Sequence, residues 1–170
     1  MQRFAHSKLA LLLIGAIVFT NAQSATEPLN NIEVGRHYLG ALYIFDFPEL
    51  NKLLRTDAVF EDPTAVIAFP GEAWHFIGRN AILNFFQQSK SGIVNADFHV
   101  LSEFSTGEFV VCNLEYWSDV EGEVLGVPGQ VVSVRMPAVT ILRIRNGLVI
   151  HHTDHVDYDL MLEQLTKQSE

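Results

Sequence analysis

The spacing of apolar residues in this chain changes from helical in the first part to alternating in the second. In the first part, Val34, Tyr38 and Leu42 recur at the interval of a helix. In the second part the period is two, and Asn146-Gly147 separates two alternating runs. Asn-Gly is a strong hairpin signal because both residues tolerate positive φ. Helices followed by an antiparallel meander are typical of a two-layer α+β domain.

These patterns also predict where each element lies. Helices are expected at residues 32–45, 48–55, 79–90 and 157–167, and strands at residues 58–60, 97–104, 108–117, 131–145 and 148–156. Residues 64–78 are rich in turn formers and are expected to form a loop. An apolar layer between helices and a curved sheet can be left open as a pocket.

The first 25 residues have the layout of a secretory signal peptide. Arg3 and Lys8 precede an unbroken apolar run at residues 9–20, and small residues follow at 21–25. The run is too short to span a bilayer comfortably, although a retained membrane anchor is the competing interpretation. We therefore expect a mature domain at residues 26–170, located in the periplasm or secreted and free of the membrane after cleavage.

Charge and cysteine content limit the partners of that domain. The full chain carries a net charge of −9, and cleavage would remove two cations and no acid. Such an acidic domain repels nucleic acid, so nucleic acid is not expected as a partner. The single cysteine, Cys112, cannot form an internal disulfide, which weakly favours a bacterial periplasm.

Tyr38 and Asp62 are the first candidate site residues. Tyr38 shares the apolar stripe of the first predicted helix, and Asp62 precedes Pro63 at the end of the first predicted strand. A phenol and a carboxylate in one apolar pocket could act as hydrogen-bond donor and proton acceptor. The competing interpretations are a core tyrosine whose hydroxyl reaches the surface and an aspartate that only forms a turn.

The last predicted strand carries a third candidate, Asp154. Alternation puts His152, Asp154 and Val156 on one face of that strand, and His151 and His155 on the other. At ~3.3 Å per residue, His151 and His155 lie roughly 13 Å apart, too far to share one zinc ion, so no metal site is expected. A buried Asp154 without partners becomes a candidate for proton transfer.

The strand at residues 108–117 leaves two orientations open. Val110, Cys112, Leu114 and Tyr116 form the more apolar face and are expected to face the core. Asn113 and Glu115 would then face water or a subunit interface; the alternative places this polar pair in the pocket.

Taken together, these segments resemble the nuclear transport factor 2-like superfamily, with the ketosteroid isomerase and SnoaL-like polyketide cyclase branches as the nearest. The resemblance runs from about Ile32 to Leu165. It depends on the order and spacing of short motifs, at residues 38–42, 57–63, 78–86 and 141–147. It implies a cone-shaped α+β barrel, with N-terminal helices packed on a curved antiparallel sheet. It also implies a homodimer formed through the outer face of the sheet, where Trp117 or Tyr116 would lie.

The resemblance assigns roles to the candidate residues. Asp62 matches the base of ketosteroid isomerases, and Tyr38 matches their oxyanion donor. The second, protonated aspartate of those enzymes corresponds to Thr140 here, a weaker donor. Asp154 resembles the last-strand aspartate of SnoaL-like cyclases and of limonene epoxide hydrolase-like enzymes. In the latter, Asn113 and Glu115 would stand where an arginine and a second aspartate belong.

The expected function is cofactor-independent acid/base chemistry, of isomerase or cyclase type, on a small hydrophobic carbonyl compound. Asp62 or Asp154 would be the base, Tyr38 the donor, and four residues would contact the substrate: Trp74, Leu114, Thr140 and His152. Two alternatives remain open. One is a non-catalytic module that binds a small apolar ligand or serves as a dimer scaffold, and the other is a hydrolase resembling limonene epoxide hydrolase.

Overall fold

The computed structural model describes residues 30–71 and 73–168, so the predicted signal peptide lies outside the described residues. These residues form four α-helices and six strands, with two short 3-10 helices in the connections. The helices are α1 (Asn31–Tyr43), α2 (Phe47–Leu53), α3 (Arg79–Lys90) and α4 (Tyr158–Gln168). The strands are β1 (Leu54–Asp62), β2 (Trp74–Ile77), β3 (Ile93–Thr106), β4 (Phe109–Glu121), β5 (Val131–Arg145) and β6 (Leu148–Val156).

One curved, unclosed sheet has the strand order β2-β1-β6-β5-β4-β3. Neighbouring strands are antiparallel except β1 and β6, which run parallel. This confirms the predicted α+β cone and adds one parallel pair that the meander pattern did not indicate. The turn between β5 and β6 is formed by Asn146 and Gly147, with φ of 53° and 74°, as the hairpin signal predicts.

The differences from the predicted elements occur where a strand is short or follows a helix directly. β1 begins at Leu54, within the segment predicted as helix, because α2 ends at Leu53 and the chain continues in extended conformation. β2 was predicted as loop. It is a four-residue edge strand, too short for its alternation to be recognised.

Helix α1 packs across the concave face of the sheet. Its N-terminus is closed by a capping box in which Asn30 and Glu33 exchange hydrogen bonds, so the first free N–H groups are satisfied. Its buried face includes Tyr38, Leu39 and Leu42, which join the core formed by the inner faces of the strands. Among the described helices, none is long and apolar enough to cross a bilayer.

Candidate functional site

A cavity of about 350 Å³ lies between the concave face of the sheet and helices α3 and α4. Its walls are mainly aromatic and include Tyr43, Phe60, Phe69, Trp74, Phe85 and Phe86. Three carboxylates, Asp62, Asp97 and Asp154, also line the cavity, together with the phenols of Tyr116 and Tyr158. No Lys, Arg or His side chain lines it among the described residues. The cavity therefore combines apolar walls with acids and neutral hydroxyl donors.

Asp154 reaches the cavity from β6 and is only 8% exposed. Thr140 stands directly opposite it on β5 and donates a hydrogen bond of 2.5 Å to its Oδ1. The Tyr116 hydroxyl lies 3.5 Å from the same oxygen and 3.5 Å from the Thr140 hydroxyl. The second oxygen, Oδ2, makes no hydrogen bond within the described residues. One oxygen of Asp154 is thus held and the other is free to act on a ligand.

His152 and Tyr38 form a buried pair behind Asp154. The Tyr38 hydroxyl lies 2.9 Å from Nδ1 of His152, and both side chains are completely buried. The other ring nitrogen, Nε2, lies 2.9 Å from Asp154 Oδ1, but its N–H is not aligned for a hydrogen bond. We assign Tyr38 as the donor to Nδ1, which leaves the ring proton on Nε2 beside the carboxylate. The pair supports Asp154 from behind and does not reach the cavity.

Asp62 is occupied by hydrogen bonds on both oxygens. Its Oδ1 accepts from the backbone N–H groups of Thr64 and Ala65, at 2.9 and 3.1 Å, and from the Thr64 hydroxyl at 2.6 Å. Its Oδ2 accepts from the Tyr158 hydroxyl at 2.7 Å. Asp62 therefore forms a turn, which was the competing interpretation of this residue from the sequence. Because both of its oxygens are occupied, it is less available than Asp154 as a proton acceptor.

The phenols around the site retain their protons over a wide pH range. Burial, and then the negative charge of Asp154, hold the pKa values of Tyr38 and Tyr116 well above 10. Burial also raises the pKa of Tyr158, with further contributions from the charge of Asp62 and its hydrogen bond and from the charge of Asp154. Each phenol is consequently a neutral hydrogen-bond donor at physiological pH.

The structure separates the predicted site residues into two groups. Asp62, Trp74 and Asp154 line the cavity. The others lie behind its wall and are completely buried: Tyr38, Leu114, Thr140 and His152. Tyr38 is not placed to donate a hydrogen bond to a bound carbonyl, because its hydroxyl is hydrogen-bonded to Nδ1 of His152.

Tyr116 and Tyr158 were not predicted as functional, although both hydroxyls belong to the site. Alternation had placed Tyr116 on the core face of its strand, which was a usable signal, but its apolar neighbours suggested packing alone. Tyr158 starts α4 immediately after β6, so its position depends on how that helix folds back over the sheet. The local sequence contains little information about how a helix packs back against the sheet.

Asn113 and Glu115 lie on the outer face, as the preferred interpretation expected. Asn113 is exposed, and Glu115 forms a 2.5 Å ion pair with Arg135 across the strands. They therefore do not stand in the cavity as the arginine and aspartate of an epoxide hydrolase-like set would. Within the described residues, no group of three or more His, Cys, Asp or Glu side chains could hold a metal ion.

Comparison with known proteins identifies the family. The model of the SnoaL-like polyketide cyclase family matches residues 46–165, and the chain belongs to this family. A candidate SnoaL-like polyketide cyclase from Shewanella denitrificans OS-217 is 31% identical with a TM-score of 0.74, and the match covers 81% of this chain and 98% of that one. A second, from Shewanella putrefaciens CN-32, is 29% identical with a TM-score of 0.74, covering 81% and 97%.

A more distant structure shares the fold. IdmH from Streptomyces antibioticus, a candidate polyketide cyclase, is 22% identical with a TM-score of 0.67, covering 81% of this chain and 99% of that one. No curated protein gives a significant match to the chain.

Proposed function

We propose that this protein is a cofactor-independent acid/base catalyst that removes a proton from carbon next to a carbonyl group in a small hydrophobic compound. The observation that carries the proposal is the state of Asp154. Its Oδ1 is held by Thr140, whereas its Oδ2 is unbonded within the described residues, on a side chain that lines the cavity. A positioned base of this kind contributes about 10²–10⁴-fold to the rate of proton transfer.

Tyr116 is the donor that fits this base. Its hydroxyl is 3.5 Å from both Asp154 and Thr140, so it makes only long contacts and can turn to a ligand oxygen. Asp154 takes the proton from the α-carbon while Tyr116 donates a hydrogen bond to the enolate oxygen that forms. The negative charge is then stabilised at the oxygen. Tyr116, and not Tyr38, is thus the residue that donates a hydrogen bond to the enolate oxygen.

Both reaction types expected for the family begin with this step. In an isomerase, Asp154 returns the proton to another carbon of the dienolate. In a cyclase, the enolate carbon attacks a second carbonyl of the same molecule, a carbon–carbon bond forms, and the resulting alkoxide takes up the proton from Asp154, which restores the base. Membership of the SnoaL-like family favours the second type.

Deuterium exchange tests the first step without knowledge of the natural substrate. The probe is 2-tetralone, an apolar ketone with acidic α-protons, in D₂O and followed by proton NMR. We expect the wild-type protein to accelerate exchange, and Asp154→Asn to return it to the buffer rate. Asp159→Asn, an exposed aspartate on α4, is the matched control and should keep the wild-type rate. Exchange that survives in Asp154→Asn would refute the assignment of the base.

A ligand-binding module without catalysis is the second candidate, and the aromatic walls of the cavity favour it. Native mass spectrometry of the purified protein distinguishes the two. A co-purified apolar ligand, together with exchange of 2-tetralone that stays at the buffer rate at every protein concentration, would support binding alone.

We also propose that the protein is exported and dimerises through the outer face of its sheet. The outer face exposes Trp117 and Val139, which are 49% and 36% exposed. Tyr116, the other residue expected there, lines the cavity instead. Sedimentation of the wild-type protein and of Trp117→Lys measures the dimer; a monomeric wild type would contradict it.

A further inference from the structure

Three aromatic rings meet at the Asp62 side of the cavity. Phe69 and Trp74 stack with their centroids 4.9 Å apart, and Tyr158 meets them nearly at right angles, at 5.7 and 6.5 Å. We call Asp62, Phe69, Trp74 and Tyr158 the aromatic corner. All four residues line the cavity, and Asp62 is paired with Trp74 in the β1–β2 ladder. The corner therefore brings three rings and one carboxylate to the same part of the cavity wall, and a ring face that is open to the cavity attracts a cation within about 6 Å of its centroid.

Asp62 brings to this corner a buried carboxylate that has no cationic partner among the described residues. It is only 2% exposed, and its partners are two hydroxyls and two backbone N–H groups. A carboxylate that only accepts hydrogen bonds has the arrangement of the ionised form. No Lys, Arg or His contacts it among the described residues. A buried charge without a cation is costly, and the acid/base proposal does not use this one.

The turn itself does not require a charge. The amide oxygen of an asparagine could accept the bonds from Thr64 and Ala65 equally well, as asparagine does in turns of this kind. An aspartate at this position therefore suggests that the charge serves a ligand.

The hydrogen bonds also limit which cation fits. Asp62 Oδ1 already accepts three bonds and Oδ2 one. A primary ammonium would need several acceptors for its N–H groups and would find few of them here. A fully methylated ammonium needs none, and it gains from aromatic faces and from a nearby negative charge.

We propose that the aromatic corner binds a quaternary or otherwise methylated ammonium group of the ligand. This inference rests on the proposed function in one respect, which is that Asp154 carries out the proton transfer. The ligand is then an apolar carbonyl compound with a cationic head. The head lies at Asp62 and the reacting carbon at Asp154. An anionic head does not fit, because the carboxylates of the cavity would repel it and no cationic side chain of the described residues lines the cavity.

Isothermal titration calorimetry tests the proposal with choline and its neutral isostere 3,3-dimethylbutan-1-ol, which differ in the charge of the head, and with the anion 3,3-dimethylbutanoate, which carries a carboxylate in place of the alcohol. We expect choline to bind at least tenfold more tightly than the alcohol, and the carboxylate to bind more weakly than either. Equal affinities for choline and the alcohol would overturn the proposal. Deuterium exchange of 2-tetralone is measured separately, so failure of the acid/base function is recognised independently.

Two variants locate the binding. Asp62→Asn keeps the turn acceptor but removes the charge, and it should lower the affinity for choline about tenfold while the alcohol changes less than twofold. Trp74→Leu should also abolish the preference for choline. Trp74 lies outside the turn that Asp62 forms, so this variant removes the aromatic ring and keeps the carboxylate. Circular dichroism verifies that both variants fold. A preference for choline that persists in both variants would refute the site.

Discussion

The carboxylates Asp62 and Asp154 of the cavity and the carboxylates Glu108 and Glu115 on the outer face of the sheet have different kinds of partner. On the outer side, Glu108 is held by Arg143 and Arg145, and Glu115 is held by Arg135. In the cavity, Asp62 and Asp154 are held by hydroxyls and backbone N–H groups. Outer carboxylates are neutralised by neighbouring cations, whereas the cavity leaves its negative charge for a ligand. The difference indicates which acids are available for chemistry.

The largest effect expected from this contrast is on proton transfer. Asp154→Asn should lower the exchange rate of 2-tetralone by about 10²–10⁴-fold, to the buffer rate, because the base is lost. Glu115→Gln, which removes a carboxylate from the outer face, should leave the rate unchanged. Proton NMR in D₂O measures both variants. Similar losses of exchange rate in Asp154→Asn and Glu115→Gln would mean that the cavity and the outer face do not differ in function.

A smaller loss is expected when the donor is removed. Tyr116→Phe keeps the ring in the cavity wall but deletes the hydroxyl, and the exchange rate should fall by roughly 10²-fold. The pKa of Tyr116 is held well above 10 by burial, so the wild-type donor should not titrate at neutral pH. A loss of activity in the wild type between pH 7 and 9, traceable to Tyr116, would contradict this assignment.

Tyr38→Phe should affect stability more than catalysis. The substitution leaves Nδ1 of the buried His152 without its partner, which costs about 1–3 kcal/mol of unfolding free energy. Urea denaturation measures this loss. Because Tyr38 does not line the cavity, the exchange rate of the folded variant should fall less than tenfold. A loss as large as that of Asp154→Asn would return Tyr38 to the catalytic centre.

The smallest effect concerns the outer face at low pH. The guanidinium groups of Arg145 and Arg143 lower the pKa of Glu108 to about 2 from its usual 4.5. Since the folded pKa is depressed, the stabilisation is complete above about pH 4.5 and is lost as the pH falls towards 2. Glu108→Gln should therefore reduce the difference in melting temperature between pH 6 and pH 3. An unchanged difference would show that this exposed network contributes nothing measurable.

Much of the fold was predictable from local patterns. The alternation in β6 placed His152 and Asp154 on one face, which the structure shows to be buried, and the more apolar face of β4 favoured the outer side for Glu115. The pattern could not show that Tyr38 would stand behind His152, because these residues are far apart in the chain and meet only through packing. The β1–β6 pairing has the same origin, since a parallel neighbour leaves no turn signal.

The sequence by itself determined the class of fold, the β5–β6 hairpin and which residues of a strand share a face. These properties follow from the helical and alternating periods and from Asn146-Gly147, which act between near neighbours. Only the tertiary structure decided the positions of the polar groups: Asp154 has one oxygen free with Tyr116 beside it, Tyr158 donates to Asp62, and Tyr38 lies behind the cavity wall. Whether a side chain lines the cavity or lies behind another side chain depends on contacts between segments that are distant in the sequence. Local periodicity does not predict such contacts.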